Sequence, residues 1–152
     1  MASPFPFTSG QVLTAAQLNS IGEATAFTPS WNNLTPGNAV ESWHYVQVNE
    51  VVHFTGQTRI GSTTSITGLP QFQFPVGTQL SPVGSLGGIA TYFDTGSSVI
   101  NVGLMDLVGG YIRFFNYTVS GSLVGFAGVS ASSPFTFATN DIIRATGALL
   151  LA

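Results

Sequence analysis

Residues 27–76 read FTPSWNNLTPGNAVESWHYVQVNEVVHFTGQTRIGSTTSITGLPQFQFPV, and the middle of this stretch decides the fold. From Val40 to Gly56 large apolar residues alternate with smaller or polar ones, which is the period of a strand and not of a helix. Taking Asn49-Glu50 as a two-residue turn sets Val48 opposite Val51, Tyr45 opposite Phe54 and Trp43 opposite Gly56. Asn tolerates the positive φ such a turn requires, whereas Glu is a poorer second residue. One face of the hairpin then carries Trp43, Tyr45, Gln47, Val52, Phe54 and Gly56 and reads as core. The other carries His44, Val46, Val48, Val51, His53 and Thr55, a face too apolar for open water and assigned to a subunit interface. The segment from Gly61 to Gly68 that follows reads as a polar surface loop, the usual place for recognition on a rigid scaffold.

The same logic extends along the chain. Gly109-Gly110 is a strong turn signal that places Asp106 opposite Arg113, Leu104 opposite Phe115 and Met105 opposite Phe114. Gly87–Phe93 reads as a strand, turned by Asp94–Ser97 into Val99–Leu104. Phe135–Phe137 and Ile142–Leu151 close the chain as strands, with Asn140-Asp141 as the turn between them. About eight strands with long crossings predict an all-β fold, a β-sandwich of jelly-roll type. Residues 26–152 form that domain, and no repeat or long linker divides it.

Residues 1–25 read differently. Met1–Phe7, with Pro4 and Pro6, is an extended arm. Thr14 is placed as an N-cap with Gln17 three residues on, and Leu13 and Leu18 form the matching hydrophobic staple. Gly22 stops the segment, which predicts a short helix over Ala15–Ile21. A helix of about two turns is unstable alone and needs a surface to dock on.

Composition narrows the function. Charged residues make up 6% of the chain, against about 25% in an ordinary soluble protein. Lys is absent, the basic residues are Arg59, Arg113 and Arg144, and the net charge is -3, which argues against binding a phosphate backbone. Mean hydropathy is +0.37, yet no apolar run approaches the ~18 residues of a membrane span, and no basic leader reads as a secretion signal. The apolar excess is therefore expected to meet other protein. With no cysteine, disulfides and thiolate metal sites are excluded.

The chemistry-bearing residues are sparse. His44 and His53 fall on one face as diagonal neighbours, with no third ligand at metal-site spacing. The carboxylates are Glu23, Glu41, Glu50, Asp94, Asp106 and Asp141; a glycosidase needs two of these across a cleft, but most lie in or beside turns, and Asp106 faces Arg113. No nucleophile elbow or P-loop is present. The reading is a non-enzyme without cofactor or metal. Among the aromatics Trp31, beside the turn-rich stretch from Asn32 to Asn38, is the best placed to stack on a sugar, with Asn32, Thr63 and Thr64 as polar partners.

Two motifs carry a resemblance. Phe27-Thr-Pro-Ser-Trp31 leads into Asn33-Leu-Thr-Pro-Gly-Asn38, and Phe7-Thr-Ser-Gly-Gln-Val-Leu-Thr-Ala-Ala-Gln-Leu-Asn19 precedes them. In this order they resemble the small trimeric β-domains of bacteriophage tail fibres, head fibres and capsid decoration proteins. The resemblance implies a homotrimeric structural protein of the virion, attached to capsid or tail proteins through its N-terminal region. Carried onto this chain, Phe5, Phe7, Leu13, Leu18 and Ile21 line the anchor, and Val46, Val48 and Val51 lie near subunit contacts. The alternative is a receptor-binding module that attaches to host-surface glycan.

Overall fold

The computed structural model describes residues 12, 14–15, 22–48, 51–75, 86–120 and 123–150. All its named elements are strands: β1 (Thr25–Phe27), β2 (Ser30–Thr35), β3 (Val40–Val48), β4 (Val51–Arg59), β5 (Ser65–Gln73), β6 (Leu86–Asp94), β7 (Val99–Val108), β8 (Tyr111–Ser120), β9 (Leu123–Gly128) and β10 (Ile142–Leu150). The chain is all-β. The arm and, apart from Ala15, the helix expected over Ala15–Ile21 lie outside the described residues, as do Phe5, Phe7, Leu13, Leu18 and Ile21.

The strands form a single antiparallel sheet in the order β1-β3-β4-β10-β6-β7-β8-β5-β2, with β9 paired to β8 off that path. β1 and β2 stand at opposite ends of this path, yet only Thr28 and Pro29 separate them in the chain. A connection that short spans roughly 10 Å at full extension, so the sheet must curl until its ends meet. The curl brings β2 and β5 to face β3 and β4 across an aromatic core. Trp43 lies 5.3 Å from Phe72, Trp31 lies 6.0 Å from Trp43, and Phe27 lies 4.9 Å from Phe74, ring centre to ring centre. Two layers packed face to face give the molecule its sandwich character. It departs from the jelly-roll expectation in its connections: β3-β4 and β6-β7-β8-β9 are chain-adjacent hairpins, and hydrogen bonding runs unbroken round the curl.

Turn chemistry sets the registers. Gly109 and Gly110 both adopt positive φ (60° and 81°), as a tight hairpin turn between twisted strands requires. The resulting pairs are Asp106 with Arg113, Leu104 with Phe115 and Met105 with Phe114, as the sequence predicts. In the first hairpin Val48 pairs with Val51, Tyr45 with Phe54 and Trp43 with Gly56, again in the predicted register. Asn33, at φ 61°, marks a bulge in β2 where the register against β5 shifts.

Three local expectations change. The segment from Phe135 to Phe137 is not a strand; the Phe137 N–H bonds back to the nearby Ala131 carbonyl (3.1 Å) and not to a partner strand, and the two rings pack 4.7 Å apart against the edge of the core. Ser30–Thr35 is a strand where the sequence reads as turn-rich. The polar loop ends at Thr64, because β5 already starts at Ser65. Polar residues in these stretches are strand residues whose faces point outward, and composition alone does not separate that from a loop.

Buried polar groups are paired. The Trp43 indole N–H donates to Thr58 Oγ1 (3.0 Å), and the Thr58 hydroxyl in turn donates to Glu41 Oε1 (3.2 Å). Asp141, just before β10, accepts from the Thr95 N–H (2.9 Å), the Thr95 hydroxyl (3.0 Å) and the Ala138 N–H (2.7 Å). It thereby ties the β6–β7 turn to the start of β10.

Candidate functional site

β10 is inserted between β4 and β6, and this places two straight rows of side chains across the outer face of the sheet. The first row is Ser42, Gln57, Arg144 and Thr91; the second is His44, Thr55, Thr146 and Ile89. Together with Gly56 and Ala145 these eight line a groove of about 440 Å³. A neighbouring hollow of about 250 Å³ shares His44, Thr55 and Thr146 and extends past His53 and Val46. Arg144 is exposed, and its Nε donates to Gln57 Oε1 (3.2 Å), its neighbour in the first row. The Thr146 hydroxyl donates to the Phe54 carbonyl (3.3 Å).

Charge is segregated around this groove. Four of the five basic side chains, Arg59, Arg144, His44 and His53, lie on the outer side of β3, β4 and β10. The fifth, Arg113, is committed to Asp106 by two hydrogen bonds, and this pairing holds its guanidinium above the usual range. Among the described residues no carboxylate lines either hollow. Glu41 is tied to Trp31 and Thr58, while Asp94 accepts from the Gly96 and Ser97 backbone in its own turn. Hydrogen bonds from Ser97, side chain and backbone, hold the Asp94 carboxyl below its ordinary range.

Beyond Thr91 the outer face changes character. Val102 pairs with Thr91, Val102 and Tyr117 directly follow the Gly103–Asn116 pair, and Tyr117 pairs with Phe126. The next row adds Ile100, Val119 and Val124. These six are between 50% and 69% exposed, and Tyr117 meets Phe126 edge-on at 5.4 Å. At about 100 Å² of apolar surface for each half-exposed side chain of this kind, the six present roughly 600 Å².

The residues singled out from sequence are distributed as follows. Val46 and Val51 are half-buried on the β3–β4 hairpin, and Val48 is 38% exposed beside them. Trp31 is half-buried in the aromatic core, 5.2 Å from Phe72 and 5.7 Å from Phe114, with its N–H donated to Glu41 Oε1 (2.6 Å). Asn32 is exposed and pairs with Gln71 across β2 and β5. The Thr63 hydroxyl donates to Asn38 Oδ1 and accepts from the Asn38 N–H, both at 2.9 Å. Thr64 donates to the Pro36 carbonyl (2.6 Å), so both threonines clamp the loop before β3 to the loop before β5. His44 and His53 are diagonal neighbours on the outer face. Among the described residues no group of three or more His, Cys, Asp or Glu is placed to hold a metal ion. Also among those residues, no helix is long and apolar enough to cross a membrane.

Sequence reasoning missed both features of the outer face. The groove draws on four strands, and Arg144 and Gln57 stand 87 residues apart. The apolar face did carry a signal: Tyr117 and Val119 before Gly121-Ser122 mirror Val124 and Phe126 after it, the pattern of a hairpin with one apolar side. Compared with protein-family models, with curated proteins and with solved structures, the chain finds no match in any of the three.

Proposed function

We propose that this protein is a non-enzymatic structural component of a bacteriophage virion. In this reading it assembles as a homotrimer and attaches to capsid or tail proteins through its N-terminal region, with Phe5, Phe7, Leu13, Leu18 and Ile21 as the anchor. The observation that carries the self-assembling, structural part is the unpartnered apolar face of β7, β8 and β9. Its roughly 600 Å² approaches the ~800 Å² per partner of a standard protein interface. A chain with 6% charged residues has little else to keep such a face in water. The virion part rests on the resemblance of the Phe7–Asn19 and Phe27–Asn38 motifs.

Two measurements test the reading. Sedimentation of the purified chain should give three copies per particle, and Val119→Glu with Phe126→Glu should return it to one. Both residues are at least half exposed, so the paired change leaves the core alone. A monomeric parent chain overturns the assembly part. Labelled-antibody electron microscopy of intact particles tests the rest: label on capsid or tail supports it, and unlabelled particles refute it.

A second reading, a receptor-binding module for host-surface glycan, is favoured by the polar groove across β3, β4, β10 and β6.

A further inference from the structure

We infer that the groove across β3, β4, β10 and β6 binds an acidic saccharide, a sugar ring bearing a carboxylate, with Arg144 as its anion anchor. The inference deepens the glycan-binding reading and rests on it.

Charge complementarity identifies the occupant. The chain is acidic overall, yet its groove is lined by Arg144 and His44, flanked by Arg59 and His53, and among the described residues takes no carboxylate in its lining. Glu23, two residues ahead of β1, lines neither hollow, and Glu50, between β3 and β4, lies outside the described residues. Arg144 spends its Nε on Gln57, and among the described residues its terminal nitrogens take no other partner. The planar fork of a guanidinium offers the two parallel donors that match a carboxylate.

The rest of the lining selects a sugar over a polyanion. Ser42, Gln57, Thr91, Thr55 and Thr146 present hydroxyl and amide groups in two rows, the donor and acceptor mixture that ring hydroxyls need. Ile89, 53% exposed, supplies apolar surface for the C–H side of a ring, and the inward-facing Gly56 and Ala145 leave only backbone on the groove floor between the two rows. A nucleic acid or other polyanion requires a cation at each repeat, and this face has no Lys. The volume of about 440 Å³ lies within the range of small-ligand sites.

The experiment is amide-shift NMR titration of the full chain with methyl glucuronide, methyl glucoside and inorganic sulfate, each on the parent and on Arg144→Gln. Arg144 is exposed, so the variant keeps the fold, which its unperturbed amide spectrum away from the groove verifies. The expected result is saturable shifts at Gln57, Thr91 and Thr146 with the glucuronide, at least tenfold weaker binding of the glucoside, and a tenfold loss in Arg144→Gln. Equal binding of glucoside and glucuronide refutes the charged anchor. Sulfate binding as tight as the glucuronide refutes sugar recognition and leaves a simple anion site. Shifts centred elsewhere, or none at up to 50-fold excess over about 1 mM protein, a regime that reaches weak millimolar binding, overturn the inference. Absence of the chain from virions leaves these shifts in place, so failure of the virion assignment and failure of the groove are read separately.

Discussion

Replacing Gly56 by Ala tests the packing on which the sheet closes. Gly56 lies on the inner face of β4, paired with Trp43 of β3. A methyl group there would stand 2.3 Å from Trp43 Cδ2 and Cε3. The indole has little room to withdraw, because Trp43 is 1% exposed, packed against Trp31 and Phe72 and hydrogen-bonded to Thr58. Overpacking of this kind costs about 1–3 kcal/mol. If the indole moves far enough to break its bond to Thr58, about 1 kcal/mol more is lost. Against this, Gly→Ala stabilises by about 0.4–1 kcal/mol through the unfolded chain wherever the backbone tolerates Ala. The net expectation is a loss of about 2 kcal/mol, equivalent to a fall in Tm of roughly 4–8 °C for a chain of this size. Urea unfolding followed by tryptophan fluorescence measures it. The sign decides the matter: if the steric argument fails, the variant is as stable as the parent or more so. A second arm identifies the partner, since in a Trp43→Ala background, which removes the three indole atoms nearest the new methyl, the cost of Gly56→Ala should shrink by half or more. An unchanged cost there assigns the clash to some other neighbour and refutes the reasoning.

Three further outcomes are expected. Asp141→Ala removes the acceptor for the Thr95 N–H, the Thr95 hydroxyl and the Ala138 N–H, and should lower stability by about 3 kcal/mol in urea unfolding; a loss under about 1 kcal/mol means the turn and the β10 entry hold without it. Burial pushes the Tyr92 phenol well above its ordinary range while its hydroxyl donates to the Phe115 carbonyl (2.9 Å), so the folded state keeps a proton that the unfolded chain releases from about pH 10 upward. This stabilisation is whole below about pH 10 and falls by about 1.4 kcal/mol per pH unit above it, so Tyr92→Phe should be about 1 kcal/mol less stable at pH 7 and equal or more stable by about pH 11; a gap that does not change with pH contradicts the assignment. Asp106→Ala unpairs Arg113 on a surface about 29% exposed and should cost under about 1 kcal/mol, with the loss shrinking in high salt, which thermal unfolding at two ionic strengths checks.

Much of the local architecture was legible because it depends on neighbours in the chain. The register of β3 on β4 follows from where the alternation reverses, and that of β7 on β8 from two glycines that alone accept the turn's dihedral angles easily. The inner face of the first hairpin was read as core from the same alternation, and Trp43, Val52 and Phe54 are buried there. Segments that alternate weakly were misread: Ser30–Thr35 and the start of β5 are polar enough to pass for loop, while Phe135 and Phe137 are aromatic enough to pass for strand.

By itself, then, the sequence determined an all-β chain, two of its hairpins with their registers, and a charged fraction of only 6%. These are consequences of side-chain period, turn dihedrals and composition, each set within a few residues or summed over all of them. Only the tertiary structure decided that β10 enters between β4 and β6, that the sheet curls until β1 and β2 meet, and that the outer face divides at Thr91 into a polar groove and an apolar patch. Those facts rest on pairings between segments tens of residues apart. Backbone hydrogen bonds alone do not distinguish one such pairing from another, so the choice is made by how the aromatic inner faces pack once the whole sheet is closed.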